Sequence, residues 1–468
     1  MEQQKNSTEQ PSISKVNADD VVMHLPDKDI RRIVDSIQAQ DTNRVHNALK
    51  ELSAVDTAEL LSKIKEEDRQ ELLSIYGKSL EAEVFAELDP EMARMCLSAM
   101  SAPYVAEMIT QLESDDALIL IENLENDFQQ EIINNLSAKT RVFLEEGLSF
   151  PEDSAGRMMR RELVAIPEFW TVGKTIDYLR TAAKNLPDDF FDIFIIDPAH
   201  HLTGEIPLSR LVRANRSEKI SNLSLEETHP IPATMDQEQA AHLFRREDLV
   251  SAPVVDDSGR LIGMITVDDI VDVIDEEAEE DLLRMAGVDQ DDIYRAVLTT
   301  TGLRFRWLFF NLFTAILASV VISFFDATIE QIVALAVLMP IVASMGGNAG
   351  TQALTVAVRA IATHELTDMN TGRIIWKETL VGLINGVLFA FLTGIIAAFW
   401  FQNTILGIVI GMAMIINLLV AGLFGAGIPL ILHKIGSDPA VSSTVLLTTV
   451  TDVIGFLSFL GLAALFMI

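Results

Sequence analysis

Cysteine is nearly absent from this 468-residue sequence, which contains only Cys96. A single cysteine excludes an intramolecular disulfide, and it excludes zinc-finger and iron–sulfur sites that need several thiolates. Basic residues are also scarce, because 35 Lys and Arg stand against 68 Asp and Glu, for a formal net charge of −33. A chain this acidic repels phosphate groups, so we expect no nucleic-acid partner, whereas cations are attracted.

Charge of either sign is rare in the C-terminal part of the chain. Residues 301–468 contain six basic and seven acidic side chains, so nearly all of the negative excess belongs to the first 300 residues. Residues 1–20 are polar and lack an apolar run, so we expect a disordered tail there rather than an export signal. The sequence therefore predicts an acidic, soluble front half joined to a membrane domain at 301–468.

Five apolar stretches in this domain are long enough to cross a bilayer, which takes roughly 20 residues in a helix. They lie near 305–325, 331–358, 379–402, 404–432 and 440–466. Lysine and arginine precede the first stretch and lie between the second and third and between the fourth and fifth, but not in the other two connections. The positive-inside rule then predicts a multi-pass protein of the plasma (inner) membrane, with the N-terminus cytoplasmic and the C-terminus outside.

Two aspartates on the fifth stretch are candidate cation ligands. Asp452 lies near its middle with no basic residue nearby in sequence, and a carboxylate at that depth is costly unless it meets water, a cation or a polar partner. Asp438 lies 14 residues earlier, about 21 Å along a helix, and we expect it near the inner mouth. Its place in Ser437-Asp438-Pro439 is equally typical of an ordinary helix N-terminus, so both interpretations stay open.

The second stretch contains a proline followed by closely spaced glycines. Pro340 cannot donate a backbone hydrogen bond, and the glycines permit either an unwound segment or close helix packing. Freed carbonyls at membrane depth need protein or a watery cavity around them, and such a cavity suits a cation. The candidate pore-lining residues are Pro340, Gly346, Gly347, Asn348, Gly350, Asn417, Thr444 and Thr448.

Residues 21–148 form short amphipathic segments with a countable repeat. Junctions between an apolar helix end and a polar helix start begin at Ile64, Leu88, Leu112 and Leu136, each 24 residues after the last. This spacing predicts a small helical solenoid with a mostly acidic surface. No catalytic grouping is visible in it, so we interpret it as an interaction or sensing domain.

Residues 149–212 and 213–270 alternate strand-like and helical runs. In the second segment, Ser251–Asp256 and Arg260–Thr266 read as strands joined by a tight turn, and the first segment has a parallel arrangement. The two segments resemble a tandem pair of CBS (cystathionine-β-synthase-type) modules. The resemblance implies that an adenosine nucleotide such as ATP could bind the pair with Asp269 as the ribose-binding acid, whereas the first module has Arg210 at the equivalent place.

Residues 271–300 connect this pair to the first membrane stretch, and the region around them is densely acidic. Several carboxylates fall at helical spacing, where like charges repel. A solvated acidic helix is the simpler interpretation of a charge run, but a hard divalent cation, which prefers oxygen ligands, would relieve this repulsion. The candidate regulatory metal ligands are Asp269, Asp272, Asp275, Glu276, Glu277, Glu280 and Asp281.

Taken together, the helical repeat, the CBS pair, the acidic connection, the Gly346-Gly347-Asn348-Ala349-Gly350 segment and Asp452 resemble an MgtE-type magnesium channel. The resemblance implies a multidomain fold: an α-helical solenoid, an α/β tandem CBS pair and a five-span α-helical membrane domain. It also implies a homodimer in membrane lipid, with Asp452 of both chains binding hydrated Mg2+ in a pore on the two-fold axis. The resemblance further implies that Mg2+ is both substrate and regulator, and that the acidic connecting helix acts as a plug. One departure is Ser442-Ser443-Thr444, where the family often has Gly-Pro.

Two other functions share parts of this pattern. An ion-coupled secondary transporter of divalent cations (Mg2+, Co2+, Mn2+) would also have a buried carboxylate and a broken helix. A CBS-regulated anion channel would need basic groups at membrane depth, where this chain offers acids. We find no phosphate-binding loop, no paired nucleophile and base and no metal-hydrolase motif, so we do not expect an enzyme.

Overall fold

The computed structural model describes residues 24–187, 189–225, 227–288, 297–363, 365–366 and 369–467. The expected tail, 1–20, lies outside these residues, and so do 289–296 of the connecting segment. The chain forms two compact units, Met1–Ile274 and Asp275–Ile468. The described residues confirm the expected fold class, because helical repeats, two small sheets and five long apolar helices all occur.

The first unit begins with helices joined by very short connections. They are α1 (Asp27–Gln38), α2 (Thr42–Leu49), α3 (Ala54–Lys63), α4 (Glu66–Tyr76), α5 (Glu83–Ala86), α6 (Pro90–Ser98), α7 (Ala102–Ile109), α8 (Ser114–Glu122), α9 (Asn126–Asn135) and α10 (Ala138–Ser149). The 24-residue spacing reflects this architecture, since each predicted junction separates two helices. At two junctions the new helix is capped: the Asp89 carboxylate accepts from the Glu91 amide, and the Ser137 hydroxyl accepts from the Thr140 amide.

Two three-stranded sheets follow, and they share one topology. Their elements are α11 (Ala155–Met158), β1 (Ala165–Pro167), α12 (Val172–Thr181), β2 (Asp192–Ile196), β3 (Leu202–Pro207), α13 (Leu208–Arg213), β4 (Ile231–Pro232), α14 (Gln237–Glu247), β5 (Ser251–Val255) and β6 (Leu261–Thr266). In each sheet a parallel pair is followed by an antiparallel hairpin. The hairpin turns also bond to each other, because the Leu261 amide donates to the His200 carbonyl and the Leu202 amide to the Gly259 carbonyl.

A long helix, α15 (Val267–Ala286), leaves the second sheet and continues into the second unit. The remaining helices are α16 (Val297–Ser323), α17 (Asp326–Gln331), α18 (Ala334–Ala362), α19 (Thr371–Phe401), α20 (Thr404–Lys434) and α21 (Pro439–Met467). All of these except α17 are long and apolar enough to cross a membrane. Helix α20 is the central one, with 67% of its apolar window buried against its neighbours.

The glycines of the second unit bring helix backbones into close contact. A Cβ added at Gly394 would lie 2.9 Å from the Gly407 carbonyl oxygen on α20, and one added at Gly411 would lie 3.2 Å from the Ala390 carbonyl. Helix α18 itself is continuous through Pro340, so the glycine-rich segment is not unwound. Of the two alternatives that the sequence left open, the structure has close packing.

Candidate cation pathway and regulatory surfaces

Asp452 is a half-buried carboxylate on α21 with no hydrogen-bond or ion-pair partner among the described residues. The nearby threonine hydroxyls are satisfied on their own helix: Thr448 donates to the Thr444 carbonyl and Thr451 to the Leu447 carbonyl. Without an internal partner, this carboxylate is stabilised in a membrane only by water, a cation or a group from another chain. It has the chemistry of a cation ligand in a pathway.

One turn beyond Asp452, an asparagine of α20 lies where α18, α20 and α21 meet. Asn417 is completely buried, and its Nδ2 donates to the Val342 carbonyl at 2.8 Å. A Cβ at Gly455 would lie 2.8 Å from Nδ2, and one at Gly346 would collide with the same atom. Asn417 therefore fills a slot between two glycines. Its side chain is enclosed by three helices, so within the protomer it packs helices together, and its place in the pore lining stays a prediction.

The other predicted pore-lining residues divide into exposed and packed positions. Pro340 and Asn348 are exposed, and Gly347 has open space where a Cβ would stand. Gly350 is buried against Leu447, so it serves helix packing rather than an open surface. Thr444 and Thr448 are half-buried. Ser443, in the segment that departs from the family pattern, is buried and donates to the Pro439 carbonyl of its own helix.

The C-terminal end of α15 is bound to the start of α21. Arg284 Nη1 donates to the Asp438 carboxylate at 2.9 Å, and the Thr444 hydroxyl donates to the Met285 carbonyl at 3.1 Å. The Met285 side chain packs on a buried cluster formed by Leu354, Val358, Ile428 and Leu447. Asp438 is thus paired with α15. Neither of its sequence interpretations, a cation ligand at the inner mouth or an ordinary helix N-terminus, predicted this pair.

The predicted regulatory acids differ in exposure along α15. Asp272, Asp275 and Glu276 are exposed, whereas Glu277, Glu280 and Asp281 are half-buried. Burial raises the pKa of Asp281, and the nearby Asp438 and Glu277 carboxylates raise it further. Carboxylates that lose solvation beside other carboxylates gain from a hard cation. These acids of α15 therefore have the chemistry expected of a divalent-cation sensor.

Asp269 belongs to a different cluster, centred on Arg160. One Asp269 oxygen accepts from the Thr266 hydroxyl at 2.7 Å, and the other accepts from Arg160 Nη2 at 2.6 Å. Arg160 also pairs with Asp115 and Glu113 of the N-terminal helices. Sequence reasoning missed Arg160 because its partners lie 45 and 109 residues away in the chain. The only local signal is a pair of arginines, Arg160-Arg161, in a strongly acidic region.

Comparison with known proteins identifies the family. A model described as divalent cation transporter (MgtE) matches residues 339–462, the MgtE intracellular N domain model matches 52–153, and a CBS domain model matches 222–276. The magnesium transporter MgtE of Enterococcus faecalis is 36% identical over 437 residues, covering 93% of this chain and 96% of the relative. The protein belongs to the MgtE family.

The MgtE of Thermus thermophilus is 31% identical over 437 residues, covering 92% of this chain and 97% of its own length. A solved structure of the cytosolic domain of the Mg2+ channel MgtE in complex with ATP is 29% identical, with a TM-score of 0.48, and covers 52% of this chain and 99% of that chain. The family-model matches and the two transporter relatives confirm the resemblance seen in the sequence. Family membership and five apolar helices make this MgtE-family chain a multi-pass membrane protein.

Proposed function

We propose that the protein is a Mg2+-selective channel that moves Mg2+ across the plasma membrane down its electrochemical gradient and is closed by cytosolic Mg2+. The observation that carries this proposal is the Asp452 carboxylate, which lies on an otherwise uncharged helix and has no partner among the described residues. Three relatives named magnesium transporter support the choice of ion.

The pathway is formed by a homodimer in membrane lipid, with Asp452 of each chain facing the two-fold axis. Mg2+ releases its water reluctantly and usually keeps several waters when bound. Two carboxylates that act through water therefore suit Mg2+ better than a dry cage of protein ligands. Asp438 attracts ions at the inner mouth when Arg284 does not occupy it, and the exposed Asn348 and the open face of Gly347 contribute to the lining.

Closure follows from linkage between ion binding and conformation. Cytosolic Mg2+ binds the acidic surfaces of the N-terminal domain, the CBS pair and α15 when they approach one another, and so increases the population of the closed state. When Mg2+ is withdrawn, the exposed Asp272, Asp275 and Glu276 repel other acidic surfaces. The N-terminus lies in the cytoplasm and the C-terminus outside, as the distribution of Lys and Arg indicates.

Asp269 already makes two contacts that a bound nucleotide would have to share. One of its oxygens accepts a hydrogen bond from Thr266 and the other from Arg160, and each oxygen keeps acceptor capacity for a ribose hydroxyl. We assign no step of transport or closure to ATP.

Ion flux into proteoliposomes separates a channel from a coupled transporter. We expect Mg2+ uptake to follow the Mg2+ gradient and to persist when proton and sodium gradients are abolished with ionophores. Uptake that stops when either gradient is removed, with the Mg2+ gradient unchanged, would instead support the secondary transporter. Repeating the assay with Mn2+ and Co2+ ranks the ions.

A further inference from the structure

Arg160 contacts four carboxylates from two domains of the first unit. Its guanidinium nitrogens lie 2.6 Å from Glu113, 2.8 Å from Asp115, 2.9 Å from Asp268 and 2.6 Å from Asp269. The first two acids belong to the N-terminal helices, at the start of α8, and the other two begin α15, directly after β6. One side chain therefore bridges the N-terminal domain and the second CBS module.

The backbone fixes Arg160 firmly on the second module. Its amide donates to the Met264 carbonyl at 2.7 Å, and the Met264 amide donates back to the Arg160 carbonyl at 2.8 Å. The next two residues bind α8, because the Arg161 amide donates to the Ser114 hydroxyl, which in turn donates to the Glu162 carboxylate. The backbone contacts of Arg160 with Met264 and of Arg161 with Ser114 therefore hold the Arg160 guanidinium at the start of α8.

A cation among these acids offsets their mutual repulsion. Near the start of α8, Glu113, Asp115 and Asp116 each offer a carboxylate oxygen within 4.8 Å of the others. Asp115 is 3% exposed, and its Oδ1 has no hydrogen-bond partner. The Arg160 guanidinium lies among four carboxylates and supplies a positive charge to each of them. Unlike a metal ion, a guanidinium cannot dissociate when the free concentration falls.

We propose that Arg160 is a built-in counter-ion that holds α8 of the N-terminal domain on the second CBS module without Mg2+. This one contact then needs no Mg2+, and Mg2+ acts at the other acidic surfaces, among them the acids of α15 beyond Asp269. This inference concerns one contact within the first unit, so it can fail or hold whether or not the protein conducts Mg2+.

Hydrogen exchange of the full-length protein in detergent tests the proposal. In the wild type, we expect amides of α8 to be equally protected in EDTA and in millimolar Mg2+. In Arg160→Gln, we expect α8 exchange in EDTA to rise by about tenfold or more, because the Asp115 and Asp269 carboxylates lose the guanidinium between them. Added Mg2+ should then restore protection, since the four carboxylates become available as oxygen ligands.

Arg161→Gln is the matched control, because it removes the same charge from the neighbouring residue, which pairs with Glu146 and lies over the Phe143 ring. Its α8 exchange should not acquire Mg2+ dependence. Loss of α8 protection in wild-type protein on addition of EDTA would overturn the proposal, and this measurement needs no variant. Unchanged α8 exchange in Arg160→Gln would also overturn it. Arg160→Lys, which keeps one charge, should give an intermediate result.

Discussion

Arg284 on α15 donates through Nη1 to the Asp438 carboxylate on α21, with 2.9 Å between the two atoms. Both side chains are about a third exposed or more, so the pair contributes only about 0.2–1 kcal/mol. We expect Arg284→Gln to weaken the closed state and to raise the internal Mg2+ concentration for half-inhibition by about two- to fivefold. Patch-clamp recording from excised patches measures this shift.

Arg246→Gln is the control for Arg284→Gln, since Arg246 makes a similar exposed pair with Glu247 on α14. Inhibition in this variant should match the wild type. If Arg284→Gln and Arg246→Gln had the same Mg2+ response, the pair between Arg284 and Asp438 would have no role in closure.

The exposed acids of α15 provide a second prediction. Replacing Asp272, Asp275 and Glu276 together by their amides removes three candidate oxygen ligands while keeping side-chain size. We expect inhibition by internal Mg2+ to need a concentration at least about tenfold higher, because Mg2+ is held mainly by carboxylates. The measurement is Mg2+ efflux at graded internal Mg2+. An unchanged inhibition curve would remove these residues from the sensor.

Gly346 and Gly347 form a natural pair for testing the packing around Asn417. A methyl group at Gly346 would collide with Asn417 Nδ2, whereas one at Gly347 meets nothing within 4 Å. We expect Gly346→Ala to destabilise the membrane unit by about 1–3 kcal/mol, the usual cost of overpacking, and Gly347→Ala to change little. Thermal unfolding in detergent measures both. Equal midpoints for the two variants would contradict the arrangement of α18 and α20.

Glu205 on β3 gives the first unit a pH dependence. Burial, together with a smaller contribution from the neighbouring Asp192 charge, raises its pKa to about 7. Because the folded state binds the proton more tightly, the stabilising contribution is present in acid and is lost as the pH rises towards 7. At pH 8, we expect Glu205→Gln to increase the free energy of unfolding by about 1–3 kcal/mol and so to raise the unfolding midpoint. At pH 5, we expect little effect.

The exposed Glu168, in the same module, is the control for Glu205. Glu168→Gln should leave the difference between pH 5 and pH 8 as it is in the wild type. A Glu205→Gln variant that is no more stable than the wild type at pH 8 would show that the buried carboxyl does not destabilise the sheet.

Features carried by local periodicity could be predicted from the sequence. The 24-residue repeat marked helix junctions because capping residues and apolar faces recur within a few residues of each other. Apolar length identified the five long helices, and the isolation of Asp452 marked it as exceptional. For Pro340 and the glycines, the pattern allowed unwinding or packing, and the choice depends on neighbours such as Asn417 and Leu447.

Contacts between distant segments could not be predicted in the same way. Asn417 meets Val342 across 75 residues, and Arg284 meets Asp438 across 154. Arg160 is the clearest case, because no local pattern indicates that one arginine gathers acids from the N-terminal helices and from α15. Net charge predicted that cations would matter, but it could not show that one of them is a side chain.

Asp452 is the central test of the whole account. We expect Asp452→Asn, which keeps the size of the side chain and removes its charge, to abolish Mg2+ flux into proteoliposomes while the protein still folds. The control is Asp326→Asn, which removes an exposed aspartate at the start of α17 and should retain flux. Wild-type Mg2+ flux through Asp452→Asn would contradict the claim that this carboxylate lines the pathway.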